Sequence, residues 1–253
     1  MRLPNASQLC RKLCRTDLRI GDKVIDRPSL TSSYGPASKV EGKVTERGGR
    51  LARGRALALS KLMRITGGKA SGRILKAPKG LDVRPTPDLV KQAVFNSLGA
   101  RVVGARVLEL FAGTGALSLE CLSRGAVRAV CVEKSERHAR TIRDNAEKMQ
   151  APPTAIEVRV QDVFVALGQL AAAGQQFDLV LADPPYGEKN VGHRSHSFAQ
   201  RLLDDAILPR VIGPGGLLIL GHTKRDTLEF PPPWQEVKTL KHGDSVMRFF
   251  RVG

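Results

Sequence analysis

The chain has 253 residues, enough for one α/β domain with a sizeable buried core and a modest appendage. Its formal charge of +17 makes nucleic acid the first partner to consider, because a polyanion neutralises a surface that otherwise repels itself. No stretch approaches the roughly eighteen consecutive apolar residues of a membrane span. The four cysteines have neither zinc-site nor disulfide-framework spacing. We therefore expect a monomeric cytoplasmic protein without a metal or a membrane segment.

The first part of the chain is basic and lacks periodicity. Residues 1–62 are rich in Lys and Arg and show no sustained apolar period of two or 3.6, so we predict a disordered extension. The sequence pattern changes at Met63, and the residues from Arg64 to Leu75 predict two short strands around a Gly/Ser turn. The sequence thus predicts a basic extension, then a basic hairpin over 63–80, then an α/β domain over 81–253.

A helix is predicted to lead into that domain. Thr86 has the side chain of an N-cap, Pro87 suits the first helical position, and Asp88 places an acid in the first turn. Gly99 is a stop signal. The apolar face is predicted to consist of Leu89, Val90, Ala93, Val94 and Leu98.

The remaining sequence alternates between strand and helix patterns. Such alternation predicts a doubly wound, mostly parallel sheet, and a turn at 242–244 after three prolines predicts a C-terminal antiparallel hairpin. In chain order the segments are Arg106 to Leu110, Ala116 to Ser123, Ala129 to Glu133, Ser135 to Met149, Ile156 to Val160, Val163 to Ala173, Phe177 to Ala182, Phe198 to Val211, Leu217 to Leu220, Glu236 to Lys241 and Ser245 to Val252.

Ligands of doubly wound folds bind beyond the carboxyl ends of the strands, and the first strand tip carries a glycine loop. Gly113 and Gly115 allow a tight turn and a close backbone approach to a nucleotide-like cofactor. Ser118 stands where a dinucleotide fingerprint needs a third small residue, so a nicotinamide or flavin oxidoreductase is the weaker interpretation. Glu109 suits a ligand with a positive amino-acid end; the alternative is an ordinary strand-to-helix turn.

The next two tips carry carboxylates. Glu133 lies about twenty residues beyond the glycines, where an acid accepts hydrogen bonds from both ribose hydroxyls of an adenosine. Asp162 is placed to accept from an adenine amino group while Val163 or Phe164 covers the ring. Each acid has a structural alternative as a helix cap, and one side chain can serve both ends.

The fourth tip, Asp183-Pro184-Pro185-Tyr186, is the most specific motif. Two prolines hold the backbone extended directly after a buried strand. An amine on a base is a poor nucleophile because its lone pair is delocalised, and two acceptors, the Asp183 carboxylate and the Pro184 carbonyl, can hold it where that conjugation weakens. Tyr186 is then placed to stack on a base turned out of its helix.

With these residues in view, the sequence from Met63 to Gly253 resembles the class I, Rossmann-like methyltransferases with a D/N-P-P-Y motif. Within them it resembles the bacterial 16S rRNA guanine-N2 methyltransferases of the RsmD type. It departs from typical members in its 62-residue leader and in Glu109, where many carry Asp. The segments on which this resemblance rests are 64–68, 72–73, 84–88, 110–117, 123–126, 132–133 and 183–186.

The resemblance implies an S-adenosylmethionine-dependent enzyme that methylates ribosomal RNA, with Asp183, Pro184, Pro185 and Tyr186 at the target amine. Cofactor contacts are implied for Glu109, Phe111, Gly113, Thr114, Gly115, Glu133, Lys134, Asp162, Val163 and Asp183. RNA contacts are implied for the basic hairpin and its surroundings, at Arg64, Lys69, Arg73, Lys76, Lys79 and Arg84. Two alternatives remain open: a DNA adenine-N6 or protein-glutamine methyltransferase, and a non-catalytic RNA-binding assembly factor on the same fold.

Overall fold

The structure, a computed structural model, describes residues 63–77, 86–186 and 193–253. The predicted extension over 1–62 lies outside the described residues, as do Lys79 and Arg84. In the described part of the chain, seven strands form one sheet in the order β3-β2-β1-β4-β5-β7-β6. The strands are β1 Arg106–Leu110, β2 Arg128–Glu133, β3 Ile156–Val160, β4 Phe177–Ala182, β5 Ile212–Thr223, β6 Trp234–His242 and β7 Ser245–Val252.

Strands β1 to β5 pair in parallel, whereas β7 pairs antiparallel with both β5 and β6. The predicted fold class, a doubly wound, mostly parallel sheet with an antiparallel C-terminal hairpin, is therefore confirmed. Strand order reverses between β1 and β4, the point at which such sheets bind ligands beyond their carboxyl ends. This switch point determines where a functional site is to be sought.

Helices cover both faces of the sheet. Among the described residues, none of the helices has the length and apolar character that crossing a membrane would need. The α-helices are α1 Asp88–Leu98, α2 Ala116–Ser123, α3 Glu136–Lys148, α4 Val163–Ala172 and α5 Phe198–Leu203. Short 3₁₀ turns follow at Gly99–Val102, Pro153–Ala155 and Leu208–Val211.

The hydrophobic core is divided by the sheet into two layers because successive strand residues point to opposite faces. Leu108 and Leu110 of β1 pack with α4 and α5, whereas Val107 packs with α1 and α2. The apolar residues of the central strands are almost fully buried on both faces, as expected for a parallel sheet covered by helices. This packing makes the strand tips a rigid platform.

Two predicted elements differ from the structure. The helix predicted from Phe198 to Val211 ends at Leu203, because the Asp205 carboxylate accepts hydrogen bonds from the N–H groups of Ile207 and Leu208 and starts a new turn. Strand β5 begins at Ile212 rather than Leu217, with a register irregularity opposite β4. Its Gly/Pro-rich start is not recognisable as a strand from composition.

Residues 63–77, the N-terminal segment, pair antiparallel around a turn, as the sequence predicted. Beside the bridge between Arg64 and Ile74, the N–H groups of Ile65 and Leu75 donate to the carbonyls of Arg73 and Met63. The turn also binds the end of α2, where the Ser123 carbonyl accepts from the Lys69 N–H at 2.7 Å. Met63, Ile65, Ala70 and Leu75 are buried against α2 and α3. The segment is thus part of the core, not a free basic hairpin.

The start of α1 also corrects the sequence prediction. Pro87 is the N-cap residue, and no side chain caps the helix. Leu89, predicted to be buried, is 60% exposed, whereas Lys91 is fully buried. The Lys91 ammonium pairs with Asp88 Oδ1 at 3.1 Å and donates to the Arg64 carbonyl. A charge removed from water requires such partners, and here they join α1 to the N-terminal segment.

Candidate active site

A cavity of about 490 Å³ lies at the carboxyl ends of β1, β2, β3 and β4. It therefore occupies the switch point that the topology indicates. Three further residues, Ser135, His138 and Phe198, line the cavity beside those that the sequence predicted. The predicted site residues that line it together are Phe111, Gly113, Glu133, Lys134, Asp162, Val163, Asp183, Pro184, Pro185 and Tyr186.

The loop after β1 is held in a left-handed backbone conformation. Gly113 has a φ of 55°, and Phe111 shares this value although it carries a side chain. A non-glycine residue adopts this region only where the surroundings impose it, at a cost of about 1–3 kcal/mol. The Phe111 ring lies 5.3 Å from the Phe198 ring, centroid to centroid. The strained residue thus places an aromatic wall on the cavity.

Glu133 ends β2 and binds the loop from the neighbouring tip. Its Oε2 accepts the Gly113 N–H at 2.7 Å, and its Oε1 accepts the Ser135 N–H at 2.8 Å. A carboxylate has about four lone-pair positions, so two remain beside these backbone bonds, with the His138 Nδ1 lying 3.5 Å from Oε1. The side chain lines the cavity. These positions fit the two hydroxyls of a ribose.

Asp162 ends β3 and serves as the N-cap of α4. Its Oδ1 accepts the Phe164 N–H at 2.9 Å, which is the helix-cap role that the sequence left open. The same residue lines the cavity beside the buried Val163. The carboxylate therefore has the geometry to cap the helix and to face a ligand with its second oxygen. A flat apolar group beside Val163 is the kind of ligand that fits.

Asp183 to Tyr186 follow β4 and form the opposite wall of the cavity. The Asp183 Oδ2 accepts a hydrogen bond from the Thr86 hydroxyl at 2.6 Å. The Tyr186 hydroxyl lies 3.1 Å from the Ser245 hydroxyl on β7, while the Tyr186 side chain is 37% exposed. The ring is thus anchored at its polar end and lines the cavity.

Sequence reasoning missed three lining residues. Ser135 and His138 lie within one turn of Glu133, and this proximity was the available signal. Phe198 carried no such signal, because it starts the short helix α5 after residues without a strand pattern. The guanidinium of Arg201 lies 4.4 Å from the Phe164 ring and 5.0 Å from the Phe198 ring, measured to the centroids. This cation–π stack stabilises the aromatic side of the cavity.

Three residues predicted to contact the cofactor do not line the cavity, and the structure corrects their placement. The Glu109 carboxylate points under α2, where it accepts the N–H groups of Leu117 and Ser118. Thr114 is buried and its hydroxyl contacts Met63. A Cβ at Gly115 would lie 2.9 Å from Ile142, so this glycine allows helix packing. Their influence on a ligand is therefore indirect.

Glu109 gives a prediction for stability against pH. Burial raises the pKa of Glu109 from 4.5 to about 7, although hydrogen bonds from Ser118 and Leu117 oppose it. The folded protein holds this proton more tightly than the unfolded chain does, so the free energy of unfolding falls as pH rises from 4.5 to 7. The resulting loss between pH 5 and pH 8 is roughly 2–3 kcal/mol.

Urea unfolding of the wild type and of Glu109→Gln at about pH 5 and pH 8 measures this contribution. The difference between the two proteins cancels the other titrating groups. We expect the wild type to lose stability relative to the variant as pH rises. Equal pH dependence of the two proteins would show that Glu109 does not titrate in this range.

The basic residues predicted to bind RNA are mostly engaged within the protein. Arg64 pairs with Asp88 at 2.8 Å, and Lys76 pairs with Asp144 at 3.0 Å. Arg73 donates to the Lys148 carbonyl at 2.8 Å. Lys69 is exposed. These contacts lie at the protein surface, so the cations still contribute to the surface potential, and their contacts with RNA stay a prediction.

Comparison with known proteins places the chain in a family. The model of the family described as Conserved hypothetical protein 95 matches residues 63–251. The chain belongs to this family. Ribosomal RNA small subunit methyltransferase D of Haemophilus influenzae is 32% identical over 189 residues, which are 75% of this chain and 93% of that protein. The Escherichia coli K12 protein of the same name is 36% identical over 124 residues, 49% of this chain and 60% of that protein.

Solved structures agree with this family assignment. A hypothetical protein of Thermus thermophilus matches with a TM-score of 0.61 at 29% identity, covering 75% of this chain and 99% of that one. This similarity shows a shared fold, and the family model with the curated relatives confirms the resemblance to RsmD-type methyltransferases that the sequence motifs indicated. For a member of the Conserved hypothetical protein 95 family, the cavity described above is the candidate active site.

Proposed function

We propose that this chain transfers a methyl group from S-adenosylmethionine to the exocyclic N2 amine of a guanine in small-subunit ribosomal RNA. The observation that carries the proposal is a single cavity that combines Asp183 to Tyr186 with Gly113 and Glu133. The names of the relatives, ribosomal RNA small subunit methyltransferases, support the choice of substrate. The proposal includes a monomeric cytoplasmic enzyme whose partner is the small subunit or its assembly intermediate.

The described residues fit S-adenosylmethionine. The Glu133 carboxylate has acceptor positions for the ribose hydroxyls, and Asp162 with Val163 suits an adenine ring. Phe111 and Gly113 border the remaining space, where Lys134 is exposed at the rim. We assign to these residues the binding and orientation of the cofactor. Glu109, Thr114 and Gly115 support the loop from behind.

The amine is held by the fourth strand tip. The Asp183 carboxylate and the Pro184 carbonyl each accept one N–H bond, which turns the nitrogen lone pair out of conjugation with the base. When bound, S-adenosylmethionine would supply the methyl group from its positively charged sulfur, with the C–S bond breaking to leave a neutral thioether as the N–C bond forms. The nitrogen would become positively charged, and the Asp183 carboxylate would accept one N–H proton and pass it to water. The carboxylate thus stabilises charge that develops in the transition state.

Tyr186 provides a test of the flipped-base geometry. Removal of the ring in Tyr186→Ala is expected to lower kcat/KM for RNA roughly 10- to 100-fold, because stacking on a base contributes about 1–3 kcal/mol. Tyr186→Phe keeps the ring and removes the hydroxyl that contacts Ser245, so its loss in kcat/KM should be about fivefold or less. Steady-state transfer kinetics measure both. Equal losses in the two variants would argue against stacking.

The proposed activity is tested with labelled methyl transfer to small ribosomal subunits, naked small-subunit RNA, duplex DNA and protein. Digestion of the product and mass spectrometry then identify the modified group. We expect N2-methylguanosine in ribosomal RNA. N6-methyladenine in DNA or methylglutamine in protein would replace the proposal with the corresponding alternative. Binding to RNA without cofactor binding would indicate an assembly factor.

A further inference from the structure

The Asp183 carboxylate is held by a residue far away in the sequence. The Thr86 hydroxyl donates to Asp183 Oδ2 at 2.6 Å across 97 positions of sequence separation. Thr86 does not line the cavity, whereas Asp183 does. The contact is partly buried, and hydrogen bonds to a charged acceptor are stronger than neutral ones. Thr86 is therefore placed to act on the cavity through Asp183.

Thr86 is available for this contact because it does not cap the adjacent helix. The N-cap of α1 is Pro87, and no side chain occupies the capping position. A threonine directly before Pro-Asp at a helix start predicts a helix cap. The tertiary fold, not the local sequence, therefore determines that the Thr86 hydroxyl binds Asp183. The hydroxyl takes part in a tertiary contact in place of a local one.

The position of Thr86 is fixed by the anchoring of α1. Lys91 is fully buried one turn into the helix, where it pairs with Asp88 and donates to the Arg64 carbonyl. Val94 and Phe95 are buried in the core on the same helix. The first turn of α1 is thus tied to both the core and the N-terminal segment. Thr86 lies two residues before this anchored turn, next to the N-cap residue Pro87.

The second side of the carboxylate is bounded by Gly221 of β5. A Cβ at this position would lie 2.4 Å from Asp183 Oδ1 and 3.2 Å from the Met247 sulfur. No side chain fits there without displacing the carboxylate, and a backbone hydrogen is all that the space admits. Asp183 Oδ2 therefore accepts from Thr86, and Asp183 Oδ1 lies close to Gly221 of β5.

We propose that Thr86 is a positioning residue that, with the space at Gly221, fixes the rotamer in which Asp183 meets the amine. The inference rests on the proposed function and deepens it. A carboxylate must hold its acceptor within a fraction of an ångström of the amine proton, and a misplacement of about 1 Å can lower a rate about 100-fold. The staggered rotamers available to an unrestrained Asp differ by more than that.

The test compares Thr86→Val, which keeps the shape and removes the hydroxyl, with Thr86→Ser, which keeps the hydroxyl. We expect Thr86→Val to lower kcat about 10- to 100-fold, with little change in the KM for RNA or in the affinity for S-adenosylhomocysteine. Thr86→Ser restores most of the turnover. In the Asp183→Ala background, Thr86→Val should have no further effect, because the two residues act as one unit.

Three results would overturn the inference: turnover of Thr86→Val within twofold of the wild type, equal losses in the Val and Ser variants, or additive losses in the double variant. Gly221→Ala provides a second approach, since its Cβ displaces the carboxylate without removing the donor, and its kcat is expected to fall as well. Failure of the wild type to methylate any amine would instead reject the proposed function. The crystal structure of Thr86→Val then decides the inference, because an unchanged Asp183 rotamer would reject it.

Discussion

Replacement of Asp183 by alanine is expected to lower kcat by about 10²–10³ while cofactor binding stays intact. The reason is that the carboxylate aligns the amine and stabilises charge that is present mainly in the transition state, and loss of one such preorganised group has an effect of this size. Asp183 lines the cavity on the wall opposite the residues that fit the cofactor. Its removal therefore leaves Glu133 and Asp162 in place.

The measurement is single-turnover methyl transfer combined with calorimetry of S-adenosylhomocysteine binding. Asp144→Ala is a matched control, because Asp144 is an exposed acid whose partner is the surface residue Lys76. Asp183→Asn keeps one acceptor and the shape of the side chain but not the charge, and we expect an intermediate rate. Transfer by Asp183→Ala within about tenfold of the wild type would refute a catalytic role.

The fold was largely predictable because its central strands are buried on both faces and its glycine, proline and acidic residues stand at strand ends. Alternation of apolar segments was enough to place β1 to β4, and their tips indicated the cavity correctly. The helix predicted beyond Leu203 failed for a local reason, because the Asp205 side chain accepts the N–H groups of Ile207 and Leu208 and starts a new turn. The burial of the N-terminal segment depends instead on long-range contacts, such as the hydrogen bond from the Lys69 N–H to the Ser123 carbonyl.

Whether a predicted site residue reaches the cavity depends on where it stands relative to the end of its strand. Glu133, Asp162 and Asp183 end their strands or follow them directly, so the backbone itself brings them to the cavity. Glu109 precedes the end of β1, and the period of two that buries Leu108 and Leu110 on one face points Glu109 to the other, under α2. This correction was available from the sequence pattern.

The Thr86 contact was not available from the sequence, because its local pattern favours a helix cap and its partner lies 97 positions away. The same holds for the ion pairs of Arg64 and Lys76, whose partners on α1 and α3 lie far away in the sequence, while the RNA contacts of these residues stay a prediction. Local sequence propensity predicts the partners of such polar side chains only where the fold offers no stronger tertiary partner. Both differences concern hydrogen bonds and ion pairs, not apolar burial.

Glu133→Ala is expected to weaken cofactor binding at least about tenfold. The Glu133 carboxylate offers two remaining acceptor positions to the ribose and also holds the glycine loop through the Gly113 N–H at 2.7 Å. A hydrogen bond to a charged group contributes about 1.5–3 kcal/mol, so loss of even one corresponds to roughly 10- to 100-fold in Kd. Glu133→Gln keeps one carbonyl acceptor and should lie between the alanine variant and the wild type.

Calorimetry with S-adenosylhomocysteine measures the affinities, and thermal unfolding of the free protein shows whether the loop change affects the fold. Glu136→Ala is the matched control, since Glu136 is an exposed acid in the first turn of α3 that pairs with Arg140 and Arg143. Because Glu133 lies on the cofactor side of the cavity and Asp183 on the amine side, saturating cofactor should recover much of the turnover of Glu133→Gln and none of that of Asp183→Ala. An affinity of Glu133→Ala within twofold of the wild type would reject the ribose assignment and leave Glu133 as a support for the loop alone.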